Sequence, residues 1–120
     1  MAPLTDPDRL RAYSDALGNW NFAGYIQFEL TASAYGWIRR ELDNVPTKEI
    51  GRLMHEFVAA GGEIDEVCET RPEWSSQYKF HHDLLIPIEG KLVYIETRLN
   101  YRLPIVPDES WIQVVNVHGQ

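Results

Sequence analysis

The chain has 120 residues, a formal net charge of −7, 44% apolar and 24% charged residues, a composition that fits one globular domain over 1–120 and argues against disorder. No apolar run is long enough to span a bilayer, and the N-terminus MAPLTDPDRL lacks the apolar core of a secretory signal, so no membrane partner is expected. Residues 1–70 hold 6 Lys/Arg against 12 Asp/Glu and residues 71–120 hold 5 against 6, so the chain repels phosphate backbones at long range and its first half suits a basic protein partner. The single Cys68 permits no intrachain disulfide, and a reducing compartment such as the cytoplasm is the plain reading.

In chain order, Asp6 and Pro7 open a first helix with Leu10, Tyr13 and Leu17 as its apolar positions, ended at Gly18. Asn19–Leu30 does not resolve between helix and strand. Thr31 or Ser33 then caps a helix to about Asp43, with Ala34, Trp37, Ile38 and Leu42 on one side. A third helix, capped by Thr47, carries Ile50, Leu53, Met54, Phe57 and Val58 at helical spacing and stops at Gly61-Gly62. Glu63–Thr70 alternates loosely, and its carboxylates suit an exposed edge strand broken at Arg71-Pro72. YRLPIVPDES, residues 101–110, reads as a proline-broken loop, and Trp111–His118 as a last strand. The fold class is α+β: N-terminal helices (about 6–60) on one face of a four-stranded antiparallel sheet (about 63–118).

Tyr78–Asn100 is the most informative stretch. Two alternating runs flank Glu89-Gly90, a turn dipeptide, and pairing Ile88 with Lys91 sets the register. One face then carries Phe80, His82, Leu84, Ile86, Val93, Ile95, Thr97 and Leu99, and the third helix is the element expected to cover it. The other carries Lys79, His81, Asp83, Leu85, Tyr94, Glu96 and Arg98, with Asp83 opposite Glu96 and His81 opposite Arg98. Two carboxylates directly opposed across a ladder repel, so a proton, a metal ion or the neighbouring Arg98 and His81 must neutralise them. The alternative is an ordinary solvated face. Successive histidines point to opposite faces, which places His82 in the core with a backbone partner and leaves His81 as the proton-transfer candidate. His118 is a further candidate at the end of the last strand, where a frayed terminus is the plain alternative. Lys79, His81, His82, Arg98, Arg102 and His118 make a locally positive site in the second half conceivable despite the acidic chain. Tryptophans 20, 37, 74 and 111 read as core or partner contacts.

Asp83 followed by Glu96-Thr97-Arg98 also echoes the two-carboxylate pattern of metal-dependent nucleases, with Asp83 and Glu96 as metal ligands, although an arginine stands where the water-orienting lysine belongs. No phosphate-binding glycine loop, zinc spacing or nucleophile elbow is present, and no cofactor is implied.

A helix, a GG-E-I strand, then HxDL, GKLVYIETRL and a final VVNVH resemble the small toxin ribonucleases of the RelE/MqsR-like group over about residues 47–118. That resemblance implies the barnase-like layout of helices before a four-stranded antiparallel sheet. It also implies metal-independent RNA cleavage by 2′-OH attack on the adjacent phosphate. In this chain His81 and Glu96 would transfer protons, Arg98 would hold the phosphate, Asp83 would orient His81 or Arg98, and Tyr94, Lys79 and His118 would contact substrate. Glu96 stands where members of that group often carry a base, and the chain is acidic where they are usually basic. The opposing reading is a non-catalytic inhibitor or accessory module that binds a basic partner.

Overall fold

The computed structural model describes residues 2–101 and 109–120. Arg102 and most of the expected loop over 101–110 lie outside the described residues. In chain order the elements are β1 (Ala2–Pro3), α1 (Pro7–Gly18), β2 (Ile26–Phe28), α2 (Ala32–Glu41), α3 (Thr47–Ala59), β3 (Asp65–Cys68), α4 (Pro72–Ser75), β4 (Phe80–Ile88), β5 (Lys91–Asn100) and β6 (Trp111–Gly119).

The sheet corrects the expected architecture. It has six strands in the order β1-β3-β4-β5-β6-β2, and β2 runs parallel to β6, so it is mixed rather than four-stranded and antiparallel. The two added strands are the outermost ones. β1 pairs antiparallel with β3 through Ala2 and Pro3, so β3 is not the exposed edge that its carboxylates implied. The unresolved stretch 19–30 supplies β2, which meets β6 at Ile112–Val114. A three-residue strand whose partner lies more than eighty positions away leaves little local pattern to read.

The central hairpin follows from its turn. Glu89 and Gly90 take φ of 53° and 73°, the left-handed pair that a two-residue turn needs to match strand twist. The ladder then runs from Ile88↔Lys91 through Asp83↔Glu96 to His82↔Thr97, the register obtained by counting. Its apolar face is buried: Leu84, Ile86, Ile88, Val93, Ile95 and Leu99 join Ile112, Val114 and Val117 of β6 in one core. α3 covers this face with Ile50 and Met54, and α1 adds Ala12, Tyr13, Ala16 and Leu17. Asp6 caps α1 by accepting from the Arg9 N–H, and Thr31 caps α2 through the Ala34 N–H at 3.1 Å. The third helix departs from expectation: Pro46 takes the cap position and Thr47 is already helical, with no side-chain cap bond.

α2 lies against β6, beyond the stretch that β2 pairs. There Trp37 presses on Gly119, where an added Cβ would come within 2.9 Å of its ring. Glycine is therefore what lets helix and strand approach.

Candidate functional site

The sequence candidates lie on the second face of the sheet, opposite the main core. Neighbours across the ladders are Asp83, Glu96 and Asn116 in one row and Tyr94 and His118 in the next, with Arg98 beside Gln113. A register shift between Glu96 and Thr97 leaves Val115 as an extra residue in β6 and returns both strands to the same alternation.

This face is not the solvated surface that its polarity implies. Arg98 is 0% exposed, Asp83 2% and Glu96 6%. The cover is the β3–β4 connection, which brings Trp74 of the short helix α4 and Tyr78 beyond it over the Arg98 guanidinium, with its carbon 4.9 Å and 5.9 Å from the two ring centres.

The opposed carboxylates have separate sets of partners. Arg98 Nη1 donates to Glu96 Oε2 at 2.8 Å, and Arg71 Nη2 donates to the same oxygen. Arg71 also grips Glu69 with Nε at 3.0 Å and Nη2 at 3.1 Å, while its backbone N–H donates to Glu69 Oε1 at 3.0 Å. Arg98 Nη2 lies 3.0 Å from Glu69 Oε2, an ion pair by distance without hydrogen-bond alignment. Two arginines thus alternate with two carboxylates. Burial pushes the Glu96 carboxyl upward, but the donors from Arg71 and Arg98 outweigh it and hold it below the usual range. Burial acts likewise on Glu69, where Arg71 and Arg98 prevail and hold the carboxyl down to about 2.

Asp83 belongs to a different group. Its Oδ1 is 2.8 Å from His81 Nδ1 and its Oδ2 accepts from the Tyr94 hydroxyl. Asp83 thus contacts both His81 and Tyr94 directly. Burial, and then the bond to Asp83, raise the Tyr94 phenol far above its ordinary value, so it remains a donor. The Tyr94 ring stacks on His118 at 4.8 Å between centres, and His118 Nδ1 lies 2.9 Å from the Gly119 carbonyl oxygen. His118 is exposed, yet it sits within β6 rather than in a frayed end.

Lys79 does not join either group. It precedes β4, its ammonium is 5.5 Å from the Phe80 ring centre, and it borders a separate cavity of about 550 Å³ that also touches His82. His82 is buried as expected, but its partner is a side chain: Nε2 lies 3.2 Å from Glu66 Oε1, and Nδ1 has no hydrogen-bond partner among the described residues. Burial lowers its pKa, against the pull of Glu66. Glu66 is itself held bidentately by Arg9 of α1, at 3.0 and 3.1 Å.

Arg71, Glu69 and Trp74 complete the face and were not foreseen. Arg71-Pro72 reads locally as a strand breaker, and no spacing rule links residue 71 to residues 96 and 98. Arg71 and Trp74 border an open cleft of about 610 Å³, beside Glu96 and Arg98 on one side and opposite the start of α2. Trp37 is on its α2 side, so two of the four tryptophans face this space. His81 and Asp83 do not border it.

Among the described residues, no group of three or more His, Cys, Asp or Glu side chains is placed to hold a metal ion. No described helix is long and apolar enough to cross a membrane. No family model, curated protein or solved structure matches the chain, so the likeness to toxin ribonucleases gains no support from known proteins, and its four-stranded antiparallel sheet is replaced here by a six-stranded mixed one.

Proposed function

We propose that this chain is a non-catalytic binding module, an accessory or inhibitor-type protein that meets a basic partner with its acidic surface. One observation carries the reading: the cation that would hold a phosphate, Arg98, is sealed from solvent between Glu96 and Glu69 beneath Trp74. Glu96, which would exchange protons, is held ionised by two arginines. His81, the remaining proton carrier, bonds Asp83 and does not border the cleft that Arg98 and Glu96 border. General acid–base cleavage needs such groups convergent on one reacting atom.

The charge left over supports a basic partner. Asp8, Glu41, Asp43 and Glu63 are exposed and make no ion pair among the described residues. Association driven by such charges weakens as salt is added.

The test is incubation of the purified protein at high concentration with mixed-sequence RNA, in EDTA and separately with Mg²⁺ or Mn²⁺, beside His81→Ala. The expected outcome is no cleavage above that control in either condition. Cleavage in EDTA that disappears in His81→Ala overturns the reading, and so does cleavage that needs the metal and is lost in Asp83→Asn.

A further inference from the structure

The two outer strands close the sheet in opposite ways. β1 is two residues long, ends in Pro3, which has no N–H to offer, and lies against Asp65 and Glu66 of β3. Proline and charge are the usual means of closing a sheet edge to another chain. β2 carries neither: it reads Ile26-Gln27-Phe28 and, among the described residues, pairs only with β6.

The β2–β6 register determines which backbone groups are left over. Ile112 N–H donates to the Tyr25 carbonyl at 2.8 Å, and Glu29 N–H donates to the Val114 carbonyl at 2.9 Å. In a parallel ladder of that phase Tyr25, Gln27 and Glu29 turn toward β6, so the N–H and C=O of Ile26 and Phe28 point away from the sheet. Such a row is a template for a further strand.

The surface beside this row is apolar. An open groove of about 360 Å³ is lined by Trp20, Phe22, Ile26 and Phe28, with Lys48 and Gly51 of α3. α3 sits so close that a Cβ on Gly51 would lie 3.5 Å from Ile26 Cδ1. Phe22 is 65% exposed, more than any other large apolar side chain among the described residues. Although 18 of the 120 residues are Asp or Glu, none of the described residues lining the groove is. A basic partner finds no counter-charge there, whereas a second copy, itself at −7, meets least repulsion.

The edge is also complementary to itself. A two-fold axis through Gln27 sets Ile26 opposite Phe28 of the second copy and Phe28 opposite its Ile26, each pair exchanging both N–H···O bonds of an antiparallel ladder. The two grooves then meet on the same face of the joined sheet. Glu29, the nearest carboxylate along the strand, would lie about 13 Å from its counterpart, beyond the screening length at physiological salt.

We propose that β2 is a dimerisation edge at which two copies of this chain join their sheets antiparallel, with Phe22 at the seam. The inference goes beyond the binding reading and stands apart from it: RNA cleavage would overturn that reading and leave this one untouched.

The test is sedimentation velocity of the full chain from about 10 µM to 1 mM. The expected result is a species of twice 13.9 kDa, with a dimer Kd below about 0.2 mM. Because like-charged copies repel, raising NaCl from about 0.05 to 0.5 M should tighten the dimer, the reverse of association with a basic partner. Phe22→Asp should weaken it about tenfold or more by charging the seam. Gln27→Glu should weaken it about fivefold or more at low salt, since it sets two carboxylates opposite each other on the axis. Both side chains are exposed, so Tm should stay within about 3 °C of wild type, and loss of the dimer is not loss of fold. A monomer at every concentration overturns the proposal. So does a dimer that survives either variant or weakens as salt is added, because its contact then lies elsewhere.

Discussion

Arg98→Met removes the most deeply buried cation in the described structure while keeping most of its apolar volume. The wild-type guanidinium satisfies Glu96 at 2.8 Å, lies 3.0 Å from Glu69 and stacks under Trp74 at 4.9 Å. Removing one member of a buried ion pair costs about 3–5 kcal/mol, because the partner charge stays buried. Arg71 moderates this, since it bonds both carboxylates, but it is partly exposed and cannot replace the second donor. Loss of the desolvated cation–π contact adds about 1–2 kcal/mol, and the methionine recovers some packing. The expected destabilisation is about 3–5 kcal/mol, a large part of the stability of a domain this size. Urea unfolding followed by circular dichroism and by tryptophan fluorescence would measure it, since Trp74 lies directly over the substituted group. Arg98→Lys should recover less than half of the loss, because one ammonium cannot span Glu96 and Glu69 in the guanidinium's fork geometry. A loss below about 1 kcal/mol for Arg98→Met would refute the reasoning, for Arg98 would then be no strut and its charge would be free for a ligand.

Stability should fall with acid in two stages. His82, lowered by burial, contributes stability that is complete above its unfolded value of 6.5 and declines as pH drops toward its folded value. Glu69 and Glu96, lowered by their arginines, contribute stability that is complete above 4.5 and declines below it, for Glu69 down to about 2. Urea midpoints from pH 8 to pH 3 would check this, and His82→Gln should flatten the segment between pH 7 and 5 alone. Tyr13→Phe tests the core bond between the Tyr13 hydroxyl and Thr97 Oγ1 at 2.8 Å. Because the Thr97 hydroxyl already donates to the His82 carbonyl at 2.6 Å, Tyr13 is the donor, and its loss should cost about 1 kcal/mol in a urea titration. Gly119→Ala should cost about 1–3 kcal/mol in the same assay and shift tryptophan emission, since its Cβ would meet the Trp37 ring at 2.9 Å.

What was legible in the sequence follows the range of the interactions. The β4–β5 register needed only a turn whose residues accept positive φ and an alternation that a one-residue slip would destroy. α1 and α2 were legible because caps and apolar spacing act within a few residues. β1 and β2 were not: they are two and three residues long, and partners distant in the chain define them. Thr47 misled because a hydroxyl before an apolar run is a cap signature, whereas Pro46, with ψ of 147°, already fills the cap position. The polar face failed for a deeper reason. Alternating charge reads the same whether water or opposite charge compensates it, and only the placement of Arg71 and Trp74 decides between the two.

The same logic explains the acidity around β3, first read as protection of an exposed edge. β3 has four residues, too few for its ladder alone to hold it firmly. On the core side Glu66 binds Arg9 of α1 at 3.0 Å and approaches His82 of β4 at 3.2 Å. Just past the strand's end, Glu69 engages Arg71 and Arg98 on the opposite face, and its N–H pairs with the Lys79 carbonyl at 2.9 Å. Carboxylates that would repel one another in an unpaired strand instead fasten it to a helix on one face and to the central strand β5 on the other. The arginine-bound carboxylates of this segment are therefore internal counter-ions. Only those outside such pairs, Asp8, Glu41, Asp43 and Glu63 among them, remain as charge that a basic partner would meet.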